Sequence, residues 1–258
     1  MTSGSGGRWI TGRYAVGQPR VRLICVPQAG AGAGAFSGWR KHLPDGVEMA
    51  PVELPGRGTR YGEPMPDGVD ALADALFEGL LPELDPPYLL FGHSLGGALA
   101  YEASRRIQQA GLPAPLATLV SGSRAPQTPS LRTMSAAADD ALLAWVLRNG
   151  GLPEELLEYP GFVEEIIRAV RADLRYAEEY LVPEPAALGW PLHVFGGTED
   201  EITPPEQLPR WQRCAAGEFG VTMLPGGHGF PHADPEAMLA AVRAVPAVRA
   251  VLPQPPLP

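Results

Sequence analysis

One stretch constrains this chain more than any other: YLLFGHSLGGALAYEASRR, Tyr88 to Arg106. An apolar run leads into Gly92-His93-Ser94-Leu95-Gly96, and a helical pattern leads out of it. In a sequence with 31 glycines the G-x-S-x-G spacing alone carries little weight. Its place between a strand and a helix is what sets it apart from an ordinary glycine-rich turn, because that is the context of a nucleophile elbow. The glycines permit a turn too sharp for side chains and let the helix pack close to the strand. Such a turn presents the Ser94 hydroxyl at the C-terminal edge of a sheet, with a helix N-terminus behind it.

Short apolar runs recur on both sides of this motif. VRLICVP (21–27), VEMAPVEL (47–54), YLLFGH (88–93), LATLVSG (116–122), PLHVFGG (191–197) and FGVTMLPG (219–226) read as strands. Several are apolar at consecutive positions, as strands buried on both faces are. Residues 69–81 and 95–110 carry helical spacing, the second ending in QQAGLP, a glycine stop followed by proline. The alternation predicts an α/β fold with one mostly parallel central sheet flanked by helices. From about 126 to 185 the rhythm breaks and only helical patterns occur. SAAADDALLAWVLRNGG is expected to start at an N-cap, Ser135, and to stop at Gly150 or Gly151, the expected flexible point. PEELLEY and GFVEEIIRAVRADLRYAEEYL continue this helical insertion, which is either a lid over the sheet edge or a helical subdomain packed on the surface. Residues 1–258 read as a single domain, with a proline-rich tail at about 251–258 expected to be extended or disordered.

A serine hydroxyl becomes a nucleophile only with a base, and the base needs an acid to orient it. HVFGGTEDEITP follows a strand and offers Glu199, Asp200 and Glu201. Asp200 is expected, since the short turn after FGG brings it back over the sheet edge; Glu201 is the runner-up. The alternative is that the cluster is only an acidic helix N-terminus. MLPGGHGFPH offers His228, in a glycine-flanked loop directly after the last strand, and His232, nearer the final helix. His228 is the expected base. His93 lies inside the elbow and is expected to pack beneath the loop, while His42 and His193 read as structural. The chain order Ser…Asp…His is that of α/β-hydrolases. This chemistry needs no cofactor or metal, and none is expected.

A second glycine-rich turn, PQAGAGAGAF, Pro27 to Phe36, admits two uses. Gly30, Gly32 and Ala35 fit G-x-G-x-x-A, and Glu53 lies where a dinucleotide fold places an acid for the ribose. The same turn can aim a backbone N–H at the oxyanion of an acyl-transfer intermediate. The first use implies an NAD(P)-dependent oxidoreductase. It makes Ser94, Asp200 and His228 a coincidence and puts Pro27 and Gln28 among the residues separating the apolar run from the first glycine, so it is the remote alternative.

Taken in order, VPQAGAGAGAF, ELPGRGTR, LFGHSLGGALAYE, SGSRAP, RADLRYAEEY, GGTEDEIT and LPGGHGF resemble the stand-alone type II thioesterases of polyketide synthase and nonribosomal peptide synthetase pathways. The similarity runs from about Leu23 to Phe230, and PGRG and RAD are more specific than the elbow. The resemblance implies an α/β-hydrolase fold with a helical lid. It implies hydrolysis of stalled or aberrant acyl groups, mainly short ones, from the phosphopantetheine arm of acyl or peptidyl carrier proteins. It makes Ser94 the nucleophile, Asp200 the acid and His228 the base, and puts the oxyanion hole on the backbone N–H groups of Ala29 and Leu95. Two positions depart from the family. Gln28 stands where His is usual, which need not disturb a hole built from the next residue's backbone. Gly229 stands where an aromatic is usual, which widens the space beside His228. A generic serine esterase or acyltransferase acting on small molecules would use the same elbow and triad; only the family motifs and the insertion separate the two.

Charge bears on partners. The formal net charge of −9 disfavours nucleic acid and anionic membrane surfaces. Carrier proteins are generally acidic too, so basic groups are expected where they dock. Arg168, Arg171 and Arg175 fall on one helical face of the insertion and are candidate contacts for the carrier or its phosphopantetheine phosphate. Glu164, Glu165, Glu178 and Glu179 nearby make a salt-bridged surface the plainer explanation. Arg57 and Arg60 in PGRGTR face the same choice, with turn stabilisation preferred. Cys25 and Cys214 suggest no disulfide framework, and Cys25 reads as a small buried hydrophobe. MTSGSGGRWITG lacks the apolar core of a signal peptide, and no run approaches the ~20 apolar residues of a membrane span. A cytoplasmic monomer is the simplest expectation.

Overall fold

A computed structural model describes residues 9–85, 87–149 and 157–252. Seven strands form one sheet: β1 (Tyr14–Ala15), β2 (Val21–Val26), β3 (Val47–Pro51), β4 (Tyr88–His93), β5 (Ala117–Ser121), β6 (Leu192–Gly197) and β7 (Phe219–Leu224). Their order is β1-β3-β2-β4-β5-β6-β7, with β2 to β7 parallel and β1 antiparallel to β3. All six expected strands occur within a few residues of their expected bounds. β1 was not legible: it is two exposed residues whose partner is the open edge of β3.

The helices are α1 (Gly68–Leu80), α2 (Leu95–Gln109), α3 (Asp139–Arg148), α4 (Pro160–Glu179), α5 (Phe230–Ala233), α6 (Pro235–Ala244) and α7 (Pro246–Arg249). Each face of the sheet has its own core, and alternate residues of β4 show why. Tyr88 and Leu90 join Leu72, Leu76 and Leu99 under α1 and α2. Leu89 and Phe91 join Phe36, Trp39 and Met238 under α6 and a 3-10 helix at Ala33–His42. Burial on both faces makes β4 and β5 apolar nearly throughout.

The sheet order reverses at β2, with β3 on one side and β4 on the other. Clefts at carboxyl edges form where the order reverses in this way. Val26 pairs with Gly92 and His93 with Ser121, so the loops leaving β2, β4 and β5 come together at that edge.

Over the edge lies the insertion. Among the described residues between β5 and β6 there is no strand, only a 3-10 turn at Met134–Ala136, α3, α4 and short turns. Leu142, Val146, Ile167, Val170 and Leu174 form a third core between α3 and α4, packed against Ala29, as a lid requires. Ser135 is not the expected helix cap. It lies within the 3-10 turn, Ala137 and Ala138 are extended, so α3 starts at Asp139, and the Ser135 hydroxyl donates instead to Glu178. Gly150-Gly151 and most of PEELLEY fall outside the described residues. So does 253–258, while Leu252, at the start of the expected tail, is buried against the second core. No described helix is long and apolar enough to cross a membrane.

Candidate active site

Ser94 is the one described non-glycine residue with positive φ, at 55° with ψ −118°. Such a conformation costs ~1–3 kcal/mol and persists only where the surroundings impose it. Here they do. The Ser94 N–H donates to the Ser121 carbonyl at 2.8 Å, and its own carbonyl accepts from Gly97 at 2.9 Å. A Cβ at Gly92 would lie 1.9 Å from the Gly96 carbonyl oxygen, and one at Gly96 would lie 2.2 Å from that of Val26. Both motif glycines are therefore required by backbone-to-backbone contact. The turn leaves Leu95 at the first position of α2, where its N–H has no partner within the helix.

Three side chains meet in a line. Ser94 Oγ is 3.0 Å from His228 Nε2, and His228 Nδ1 is 2.9 Å from Asp200 Oδ2. Asp200 Oδ1 accepts the N–H groups of Ile202 and Thr203 at 2.8 and 2.9 Å. Asp200 is 2% exposed, whereas Glu199 and Glu201 face solvent. The loops after β6 and β7 touch, with the Glu199 N–H on the Gly226 carbonyl at 2.9 Å, and this brings acid and base together.

The other histidines lie outside this line. His232 Nε2 is 3.0 Å from Gln28 Oε1, and burial, aided by His228, pushes its pKa down to about 4. His93 is buried under the elbow, with Nδ1 3.1 Å from the Ser121 carbonyl and its ring 4.9 Å from that of His228. Burial, then His228 and His232, hold His93 well below the usual histidine range, so it is neutral beneath the His228 ring. His193 hydrogen-bonds Thr222, and His42 faces Glu236.

Ala29 and Ser94 line a common cavity with Trp145, Leu174 and His228. The loop carrying Ala29 is gripped from outside. Gly30 N–H donates to Asp173 Oδ2 at 2.7 Å, and Ala33 N–H to Glu53 Oε1 at 3.1 Å. Arg57 holds Asp173 through two contacts of 2.5 and 2.9 Å, and also reaches the carbonyls of Ala31 and Pro55. Arg60 donates to Glu63 and the Glu53 carbonyl and lies 4.0 Å over the Trp9 ring. PGRG and RAD are thus two halves of one buried joint, which charge and spacing did not reveal. The dinucleotide reading does not fit: α4 covers Gly30, with Val170 Cγ2 2.1 Å from a Cβ placed there, Gly32 is closed off by the Glu53 carboxylate, and Glu53 is 4% exposed.

Two larger spaces reach the site. A cavity of about 410 Å³ extends from Ser94 beneath the insertion, between Leu95, Ala98, Met134, Trp145 and Ile202, with Arg124 and Glu178 also in its wall. A cleft of about 730 Å³ opens on the other side, along Gly226, Gly227, His228, Gly229, Asn149 and Arg148. Trp145 borders both. Gly229 contributes no side chain to the cleft.

The arginine face of α4 is divided. Arg171 donates to the carbonyls of Ser135 and Ala137 at 2.6 and 2.7 Å and pairs with Asp139 at 2.5 Å, fastening α4 to the start of α3. It is engaged internally. Arg168 and Arg175 are exposed, Arg175 5.9 Å from the Tyr176 ring. Cys25 and Cys214 are buried and unbridged. Among the described residues, no group of three or more His, Cys, Asp or Glu could hold a metal ion.

The thioesterase domain family model matches residues 21–245. The Streptomyces griseus protein named "Probable cadicidin biosynthesis thioesterase" is 32% identical over 86% of this chain, which spans 62% of that protein's length. Among solved structures, the RedJ thioesterase of the prodiginine biosynthetic pathway in Streptomyces coelicolor is 36% identical, with a TM-score of 0.79 over 87% of this chain and 89% of that one. BorB, the type II thioesterase of the borrelidin biosynthetic cluster, is 30% identical, with a TM-score of 0.81 over 92% of this chain and 96% of that one.

Proposed function

This chain belongs to the thioesterase domain family, and from that premise we propose that it is a stand-alone type II thioesterase that hydrolyses acyl groups, chiefly stalled or aberrant short ones, from the phosphopantetheine arm of carrier proteins in polyketide or nonribosomal peptide synthesis. The observation that carries the reading is the hydrogen-bonded line Ser94–His228–Asp200 at the glycine elbow. Ser94 Oγ attacks the thioester carbonyl carbon while His228 Nε2 takes its proton. Asp200 accepts the Nδ1–H bond, fixes the tautomer and stabilises the imidazolium. The N–H groups of Ala29 and Leu95 receive the oxyanion, each such donor being worth ~3 kcal/mol in the transition state. Collapse of the tetrahedral intermediate breaks the C–S bond, and His228 returns the proton to the departing thiolate. His228 then takes a proton from water, whose oxygen attacks the acyl-Ser94 carbonyl; the intermediate expels Ser94 Oγ, which regains that proton, and the free acid leaves.

The acyl group fits the cavity under the insertion, whose volume lies in the ~300–1,000 Å³ range of small-molecule sites. The glycine-lined cleft leaves room for the pantetheine arm on the His228 side. The acidic carrier meets Arg168 and Arg175 on the open face of α4, and the enzyme acts as a cytoplasmic monomer.

Hydrolysis of an acyl-carrier by wild type and by Ser94→Ala, followed by mass spectrometry, tests the reading. Wild type should release the free acid, and the variant should lose about 10³-fold or more. Much faster turnover of a p-nitrophenyl ester than of acyl-carrier would favour the generic esterase instead.

A further inference from the structure

The loop that carries Ala29 owes its shape to residues far away in sequence. Asp173, on α4, is fully buried and uses both carboxylate oxygens: Oδ2 accepts Gly30 N–H and Arg57 Nη1–H, and Oδ1 accepts Arg57 Nη2–H. Arg57 Nη1 also donates to the Ala31 carbonyl at 3.2 Å. The pair therefore grips the chain immediately on both sides of Gly30, whose φ of +75° marks the tight turn. Val170, one turn before Asp173, closes over Gly30, and Ala29 packs into the core between α3 and α4.

We propose that Asp173 is a positioning residue: clamped by Arg57, it fixes the Gly30 N–H and thereby sets the direction of the Ala29 N–H, so that the oxyanion hole is formed only when α4 is seated. The inference rests on the thioesterase reading above, which gives the Ala29 N–H its task. It goes further by making the insertion part of the catalytic geometry as well as a cover. Stability alone is a poor reason for such a pair. Replacing a buried ion pair by well-packed apolar groups is often neutral or stabilising, whereas leaving one partner unpaired is costly. That asymmetry suits a joint. With α4 displaced, the Arg57 charge and the Gly30 N–H both lose their partner, so the unseated state is disfavoured and the hole is lost with it.

The test uses the full chain with Asp173→Asn. Three quantities are read: kcat and KM on acyl-carrier, inhibition by an acyl trifluoromethyl ketone, and the melting temperature. The ketone adds to Ser94 as an anionic hemiketal, so its affinity reports the hole. The expected result is a fall in kcat of about 10–100-fold, less than the ~10²–10³ for outright loss of a donor, with ketone affinity weakened by a similar factor. KM should stay within about twofold, since ground-state binding is untouched. A folded variant with a lower melting temperature but wild-type kcat and ketone affinity would overturn the proposal and leave the pair a structural role only. If Asp173→Asn does not fold, Arg57→Lys keeps the charge but loses the two-point grip. Unchanged kcat and ketone affinity there overturn the proposal equally. Failure of the thioesterase reading shows separately, as a wild type that leaves acyl-carrier intact; the ketone measurement still decides the role of Asp173.

Discussion

The elbow and the insertion solve opposite problems. The elbow is held by contacts from its own strand and helix and the strands beside them: Gly92 against Gly96, Gly96 against Val26, Ser94 N–H on Ser121. These are backbone contacts with no slack. The insertion is held by side chains reaching across the molecule. Tyr176 OH donates to the Pro66 carbonyl, Tyr180 OH to Glu102, and Arg124 to the carbonyls of Ala177 and Tyr180. Backbone packing of this kind fixes the Ser94 hydroxyl in one position, as the proposed attack on a carbonyl requires. The insertion is instead seated by pairings between distant side chains, the buried Arg57–Asp173 pair among them, each of which fixes one point of the cover on the body of the molecule.

Gly96→Ala tests the rigid side and should have the largest effect. The new methyl meets the Val26 carbonyl and must push α2 off β2. Stability is expected to fall by about 2–4 kcal/mol in urea denaturation. A displacement of Ser94 on the order of 1 Å should cost kcat/KM about 100-fold or more. A variant that retains both would break the comparison.

An intermediate effect belongs to the region where the two meet. His232 sits between Gln28 and the cleft, with a folded pKa of about 4 against an ordinary 6.5. Between those values the unfolded chain binds the extra proton, so stability rises with pH and is lost as pH falls from about 6.5 to about 4. His93 and His193 are also depressed, by burial, and contribute in the same direction. Denaturation across this range should show His232→Gln with a shallower acid loss than wild type; parallel curves would mean that His232 titrates normally.

The smallest effect is expected on the outer face of the insertion. Arg168→Glu should raise KM for acyl-carrier by about two- to fivefold at low salt, fading as salt screens the charge, with kcat and melting temperature unchanged. A KM indifferent to charge and salt would remove Arg168 from the docking surface.

How much was readable in advance follows the same division. Strand periodicity and the elbow were legible because each signal is complete within about 20 residues. The placing of Asp200 and His228 beside Ser94 was legible because each follows a strand within a few residues, in the expected chain order. Ser135 failed as a cap because a serine before an alanine run carries the same local signal whether it caps a helix or bonds Glu178 across the insertion. Arg171 looked like its neighbours on a charged face until α3 packed beside it. Asp173 and Arg57 stand 116 residues apart, and nothing local marks either as buried. Gln28 was conspicuous, but its partner, His232, lies 204 residues away.

Local sequence sufficed for the parallel sheet, the strained turn at Ser94 and the identity of its glycines, because backbone sterics and side-chain period act between near neighbours. Packing of the whole chain was needed to choose Asp200 over its runner-up Glu201, to leave Arg168 and Arg175 in solvent while engaging Arg171, and to set α4 on the loop of Ala29. Burial and pairing of charge have no local signature; they arise when distant segments meet and exclude water.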